Sequence, residues 1–504
     1  MGSGALATAT PHPVGTGDVT ESHPDDTLLI VGGYTDIDLL AHTPCVKSRF
    51  ADCPRSAARG ALDAGVHVLR LGGRDGALTH LSTNAIGPNV AFIARSPVNP
   101  DLLYACTERI DDEGEIITMR LTESMALVEQ SRARGGGRST CYLNFNKSKQ
   151  WLMAIHYWDA KITTMALDAK TGAIDVSPRS VLMRPEAAYV DDAKPTREEH
   201  WKYRQKWAHS HCAVTEPYFG VVHFVVDLGL DRVFAYRVDA ANGALVQKGV
   251  IALPKGKGPR HLVFHPTRRA AYLVNELDST VSCFAVNLPA RWLVGTGPGA
   301  EEAGEESCAA RGATLELVTC VSSLPVSEQG KTTISPQGIW KAASHSSEIR
   351  MHPRGAFFVV GNRGHDSVAV FRTADFAVGR DGKKSGGVEL VAITPSGGEC
   401  PRNFDWAADG RFLVVGNQNS STMCVFAFDE RTGALSPKPV SVARVASPNY
   451  VFATPLRDFT DSSPARRARE ESVMSMQTQT LVVGDAGAGD AESVPVDTVA
   501  AVAA

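Results

Sequence analysis

One unit returns along most of this chain, and it limits the fold more than any other feature. The unit opens on a polar residue and runs through an apolar stretch to a turn with Pro or Gly. It returns through a second apolar stretch, ends on polar residues, and goes on into a third, alternating stretch. The segment Gly258 to Glu276, GPRHLVFHPTRRAAYLVNE, shows it most plainly. Related copies contain PNVAFIARSPVNPDLLYACTE after Gly87, CYLNFNKSKQWLMAIHYW after Thr140 and HSHCAVTEPYFGVVHFVVD from His209. Two more contain EIRMHPRGAFFVVGNR from Glu348 and RNFDWAADGRFLVVGNQ from Arg402.

The polar positions recur at one offset. Cys141 to His156, His211 to Asp227, Arg260 to Asn275, Glu348 to Asn362 and Arg402 to Asn417 are each about 15 residues apart. Two strands of ~5–6 residues and a short turn fill that distance. A mainly β repeat of ~40–50 residues predicts a β-propeller. Six internal copies plus the N-terminal strands, from TLLIVGGY at Thr27 to Tyr34, predict an all-β fold of seven blades. The strand near Asn449 to Ala453 should pair with the N-terminal ones and close the ring, which removes exposed sheet edges. The propeller is expected over residues 26–456, with insertions at about 183–207 and 292–345. Residues 1–25 and 457–504 are expected to be disordered tails. The first insertion carries TREEHWKYRQKW and is expected to pack as a loop with a short helix over a blade top. The second is expected to supply an outer strand at TLELVTCVSSL.

Antiparallel pairing puts the start of one strand beside the finish of the next. In a propeller this gathers the recurring polar residues around one mouth. The expected set is His156, His209, His211, Asp227, Arg260, His261, Asn275, Glu276, Glu348, Asn362, Arg363, Arg402, Asn417 and Gln418. Arginines from three blades suit a carboxylate, a phosphate or a developing oxyanion. His211 and Glu276 are candidates for proton transfer. A second reading of the strand-end Asn, Asp and Arg positions is that they stitch neighbouring blades through backbone hydrogen bonds. His209 and His211 with Asp227 resemble part of a metal site, but the arginines oppose a divalent cation, so neither a metal nor another cofactor is expected.

Composition narrows the partners. A net charge of -4 and a pI near 6.4 give no electrostatic case for nucleic acid. No stretch approaches ~18 consecutive apolar residues, so no membrane span is expected. The N-terminus has no basic region followed by an apolar core. The 10 cysteines show no CxxC or metal spacing, and Cys106, Cys141, Cys212, Cys283 and Cys424 are expected to be buried thiols. A cytoplasmic location follows as an expectation.

These motifs resemble the lactonase family of seven-bladed propellers. The resemblance rests on GPRH at Gly258 to His261, NEL at Asn275 to Leu277 and DLGLDR at Asp227 to Arg232. It rests also on the H-x-H of His209 and His211, the GNRGHDSVAVF around Arg363, and PRNF with GNQ between Pro401 and Gln418. It covers roughly residues 27–455. Ala208 stands where the family has proline before the H-x-H. The resemblance implies a seven-bladed propeller that acts on a small anionic lactone or carboxylate. It further implies His211, Arg260, Glu276 and Arg363 as catalytic residues. Its expected reaction is hydrolysis of a sugar δ-lactone such as 6-phosphogluconolactone, with His211 or Glu276 activating water, Arg260 on the oxyanion, and Arg363 and Arg402 on the anionic tail. Two alternatives are a muconate-type lactonising cycloisomerase and a non-catalytic propeller that scaffolds partners.

Overall fold

A computed structural model describes residues 23–40, 65–168, 170–175, 180–182, 196–293, 304–335 and 338–460. The expected tails lie outside these residues apart from 23–25 and 457–460, as do 183–195 and 294–303 of the insertions.

The described strands form seven larger sheets, antiparallel apart from one added parallel strand, and one separate two-stranded hairpin. The second strand of each sheet is the most buried. Leu102–Thr107 (LLYACT), Trp151–His156 (WLMAIH), Ala270–Asn275 (AAYLVN) and Phe412–Asn417 (FLVVGN) are buried at every position. That follows from their sequences, which are apolar on both faces and so demand a sheet packed on each side. The rim strands are more exposed: Leu127–Arg134 buries only two of its residues. The apolar cores lie between neighbouring sheets. Tyr272 of one blade meets Phe358 of the next at 4.6 Å between ring centroids. Further cores join the other neighbours around the ring.

The arrangement is a seven-bladed β-propeller. Blade one combines both ends of the fold, because Thr27–Gly33 pairs antiparallel with Pro448–Pro455, with Leu29 opposite Ala453. The sheet continues through Val66–Leu71 and Leu78–Asn84. Pro448–Pro455 is therefore the innermost strand of blade one. The innermost strands of blades two to seven are Val90–Arg95, Thr140–Phe145, Ser210–Thr215, Pro259–Phe264, His345–Met351 and Pro401–Ala407. Each contacts the next around the channel, and the seventh contacts the first.

Every innermost strand has a break in its ladder at the same place. In blade five Pro259 pairs with Asn275 and His261 with Val274, so Arg260 is skipped. Asn449, Ala91, Cys141, His211 and Arg402 are skipped in the same way. In blade six Ser347 and Glu348 lie between the Ser346–Asn362 and Ile349–Val360 pairs. A bulge of this kind frees a residue from the ladder and re-aims its side chain. The skipped residues of the other six blades all line one small cavity of about 20 Å³ in the channel.

Both insertions take defined places. TLELVTCVSSL supplies the outer strand of blade five, Leu315–Ser322, and Glu305–Ser307 adds a parallel strand to blade four. The first insertion contains a short 3-10 turn, His200–Tyr203. A separate hairpin, Thr332–Ile334 with Trp340–Ala342, stands between blades five and six.

Closure by one strand gives a direct test. A chain ending at Ser447 loses the inner strand of blade one and leaves the edge of Thr27–Gly33 unpaired. It should be insoluble or melt without a cooperative transition in circular dichroism. Melting like that of the full chain would contradict this closure.

Candidate active site

The floor of the channel is built from two positions per blade. One is the bulge residue of the inner strand. The other lies at the end of the second strand: Tyr34, Glu108, Tyr157, Glu276 and Gln418 follow the strand in five blades, and in blade six it is Arg363, the last strand residue, paired with His345. With His211, Arg260 and Arg402 they line a cavity of about 490 Å³ at the mouth. Arg204 of the first insertion, His345 of blade six, and Thr333, Ser335 and Lys341 of the hairpin also line it.

Local sequence explains why Arg260 arrives at the floor. Gly258 has φ +57° and packs so closely on Leu277 that a Cβ would lie 2.4 Å from Leu277 Cγ. Its N–H donates to Asp231 Oδ1 at 2.7 Å, and its carbonyl accepts from the Glu276 N–H at 2.7 Å. Asp231, the last Asp of DLGLDR, thus sets the start of GPRH. Two motifs far apart in the chain form one joint.

The centre of the site is the Glu276 carboxylate. It is 1% exposed and meets three guanidinium groups: Arg204 Nη1 donates to Oε1 at 2.8 Å, while Arg363 Nη2 and Arg260 Nε lie 3.0 and 3.2 Å from Oε2. Burial opposes its ionisation, but Arg363, Arg204 and Arg260 outweigh burial and hold its carboxyl well below the usual carboxylate range. Glu276 is a fixed negative charge. Arg363 spends its other donors on the His345 and Ser346 carbonyls. Arg260 Nη1 donates to the Ser347 carbonyl at 2.6 Å, and no protein group among the described residues takes up its Nη2. Burial and the nearby Arg363 pull Arg260 down to about 10, so it stays charged at neutral pH.

A second chain of polar contacts ends at His211. Glu348 Oε1 lies 2.8 Å from His261 Nδ1, and His261 Nε2 lies 3.1 Å from His211 Nδ1. Glu348 also accepts from Asn403 Nδ2 and the Ile349 N–H, and Arg350 lies 3.8 Å away. Burial opposes the Glu348 charge, but His261 and Arg350 bring it down to about 2. The carboxylate therefore takes the His261 Nδ1 proton in its hydrogen bond. That leaves His261 Nε2 as an acceptor, which faces His211 Nδ1 at 3.1 Å and Arg260 Nη1 at the longer distance of 3.4 Å, and the shorter contact assigns the proton to His211 Nδ1. His211 Nε2 then carries a lone pair and has no partner among the described residues. Burial, with Arg260 and His261 adding to it, puts His211 well below the usual imidazole range, so it is neutral at pH 7.

Around this pair the lining is rich in charge. Arg204, Arg260, Arg363, Arg402 and Lys341 face Glu108, Glu276, Asp366 and Glu399, five cations against four carboxylates. Arg402 lies over the Tyr34 ring at 4.9 Å and 3.9 Å from Glu108, whose carboxylate also accepts from Tyr34 and Ser139.

Of the residues expected at the mouth, His211, Arg260, Glu276, Arg363, Arg402 and Gln418 line the cavity. His261 and Glu348 lie behind His211. His209 stacks on Tyr157 at 4.5 Å, with Nδ1 3.0 Å from the Tyr157 carbonyl. The remaining expectations are corrected. Asp227 accepts from the His209 and Leu230 N–H groups and the Ser210 hydroxyl. Asn275 donates to Thr280 and Ser282, Asn362 to Ser323 O and Ser367, and Asn417 to Ser396 O. Buried His156 lies between Thr140 and Thr163 hydroxyls. These residues tie strands together within a blade, and Asn362 and Asn417 also bind the residue that follows the outer strand of the preceding blade. The reason is strand alternation: the residue before the cavity-lining position turns toward its sheet, and the next residue turns to the channel.

Sequence reasoning missed Tyr34, Glu108 and Tyr157. The repeat extended by one residue past the strand end finds all three. Arg204 and Lys341 lie in insertions outside the repeat, which carries no signal for them. Among the described residues no group of His, Cys, Asp or Glu is arranged to hold a metal ion.

Comparison with known proteins agrees with this architecture. The family model described as lactonase, 7-bladed beta-propeller, matches residues 31–294 and 311–452. A Bacillus subtilis protein named 6-phosphogluconolactonase is 26% identical over 380 residues, which cover 75% of this chain and 91% of the relative. A Formosa agariphila protein of the same name is 25% identical over 385 residues, 74% of this chain and 91% of its own. A putative 6-phosphogluconolactonase from Bacteroides fragilis superposes with TM-score 0.62 at 20% identity, covering 85% of this chain and 98% of its own. A Pseudomonas aeruginosa periplasmic gluconolactonase gives 0.61 at 22% identity, covering 85% and 99%. These solved structures support the fold.

The buried clamp on Glu276 has a measurable consequence. Removing one partner of a buried ion pair typically costs about 3–5 kcal/mol. Glu276→Gln should lose stability of that order at pH 7 by chemical denaturation. Because the folded carboxyl sits below its ordinary value of 4.5, its contribution is full above that value and disappears as pH falls through the folded pKa. The gap between wild type and variant should close in strong acid. A gap of equal size at pH 7 and pH 2 would contradict the clamp.

Proposed function

Starting from the fact that this chain belongs to the lactonase family of seven-bladed β-propellers, we propose that it is a hydrolase of sugar δ-lactones, with 6-phosphogluconolactone as its substrate. The observation that carries the reading is that His211 and Arg260 line the same cavity. A neutral imidazole with a free lone pair stands beside a charged guanidinium with a free donor, in a cavity with more cations than anions. The names of the relatives support the same substrate class.

In this mechanism His211 Nε2 takes a proton from water as the water oxygen bonds to the lactone carbonyl carbon. Arg260 stabilises the oxyanion that forms on the carbonyl oxygen. The carbon to ring-oxygen bond then breaks, and the His211 proton passes to the leaving ring oxygen. The products are an open-chain hydroxy acid and a restored neutral imidazole. Glu276 holds Arg260 and Arg363 in place and does not act as the base, because three guanidinium groups occupy its oxygens and lower its affinity for a proton. Glu348 and His261 keep His211 in the tautomer with its lone pair toward the substrate. Arg402 and Arg363 provide positive potential for the anionic substrate. The eight described cysteines are free thiols, which suits a reducing compartment such as the cytoplasm.

The purified protein should open 6-phosphogluconolactone faster than the spontaneous rate. Cyclisation of a carboxymuconate without lactone opening would favour a cycloisomerase, and no turnover of either would favour a scaffold. Arg260→Ala should lower kcat/KM by about 10²–10³ in a protein that circular dichroism shows to be still folded at the assay temperature, although the lost clamp partner lowers its melting temperature. The rate should be flat between pH 6 and 8 and fall only in acid below the ordinary imidazole value of 6.5, since a lowered pKa keeps the base form present down to that range. A midpoint near 6.5 or higher, or full turnover by Arg260→Ala, would contradict these assignments.

A further inference from the structure

The two insertions meet beside the mouth. Arg197 of the first donates from Nε to Thr332 Oγ1 of the hairpin at 3.2 Å, and its guanidinium lies 5.8 Å from the Trp340 ring centroid. Each insertion sends one cation into the 490 Å³ cavity, and the two are used differently. Arg204 is engaged, with Nη1 on Glu276 and Nη2 on the Tyr157 hydroxyl, each at 2.8 Å. Lys341 is half-buried and has no carboxylate partner among the described residues. The other lining cations all face one: Arg204, Arg260 and Arg363 meet Glu276, and Arg402 lies 3.9 Å from Glu108.

Lys341 is thus the one lining cation without a carboxylate partner among the described residues, while Asp366 and Glu399 line the same cavity without an ion-pair partner there. Thr333 and Ser335 line the cavity from the same hairpin. Ser335 Oγ accepts from the Ile339 N–H at 3.1 Å, so its hydroxyl proton is left to donate outward. The hairpin is also set apart from the reacting centre. His211, Arg260 and Arg402 border the deeper 20 Å³ cavity as well, whereas no hairpin residue does. The cavity therefore has a reactive end on the channel floor and a cationic, hydroxyl-bearing end at the hairpin. Lys341 acts on His345, whose imidazole burial chiefly, and the surrounding cations further, depress to about 3.

We propose that the hairpin Thr332–Ile334 and Trp340–Ala342 forms a distal anion subsite in which Lys341, with Thr333 and Ser335, binds the phosphate monoester of a phosphorylated sugar lactone. The proposal rests on the lactonase reading for its role in turnover. It accounts for a cation that the mechanism leaves unused. A compact ammonium with rotatable donors suits a phosphate that approaches as a point charge. It also gives the second insertion a function: selecting the phosphorylated substrate over the neutral lactone.

The test uses the stable open-chain acids, so that binding is read independently of turnover. 6-Phosphogluconate and gluconate are titrated calorimetrically into the full-length protein and into its Lys341→Ala and Lys341→Arg variants, each checked for wild-type melting. Wild type should prefer 6-phosphogluconate. Lys341→Ala should reduce that preference by about tenfold to a hundredfold, mostly through lost affinity for 6-phosphogluconate, and Lys341→Arg should keep most of it. Equal weakening of both acids, or an unchanged preference, would overturn the subsite. If the wild type opens no lactone, the lactonase reading fails, while the binding comparison still decides whether Lys341 recognises phosphate.

Discussion

The site depends on one buried carboxylate. Glu276 is the counter-ion for Arg204, Arg260 and Arg363 at 2.8–3.2 Å, and each arrives from a different part of the chain. Three guanidinium groups could not be brought so close in a buried mouth without a charge between them. Once Glu276 is there, Arg260 can keep one terminal nitrogen on a backbone carbonyl and present the other to the cavity. The same clamp decides the proton chemistry. A carboxylate so stabilised is a poor base, and the role falls to His211, whose ring nitrogen is fixed by His261 and Glu348.

The propeller frame makes this meeting possible through bulges. A regular inner strand would alternate between its two neighbouring blades and leave no residue for the channel. The skipped residue in every blade breaks that alternation where the strand enters. His211, Arg260 and Arg402 reach the floor by this route. Glu108, Glu276 and Arg363 reach it from the ends of the second strands. Chemistry is set by which residue each blade places at these positions, and packing by the rest of the strand.

Much of this was legible in the sequence, for physical reasons. Apolar runs with turn residues between them specify hairpins, and their constant offset specifies repetition in a ring. Arg260 and Glu276 could be paired across one turn before any coordinates, because antiparallel strands make their ends neighbours. The sequence was misleading at the residue just before the cavity-lining position of several second strands. Asp227, Asn275, Asn362 and Asn417 recur like site residues, but recurrence also follows from a repeated structural need, here to hold the hairpin end by side-chain hydrogen bonds. The tautomer relay through His261 and Glu348 crosses from blade five to blade six, so no single repeat shows it. Arg204 and Lys341 enter from insertions, where periodicity has nothing to say.

The account turns on His211 being a neutral imidazole protonated at Nδ1, with its lone pair on Nε2. Nitrogen-15 NMR of the ring at pH 7, assigned by comparison with a His211→Asn variant, reads that state directly. The account predicts an Nδ1–H tautomer that persists down to about pH 6. A protonated imidazolium, or a proton on Nε2, would contradict it.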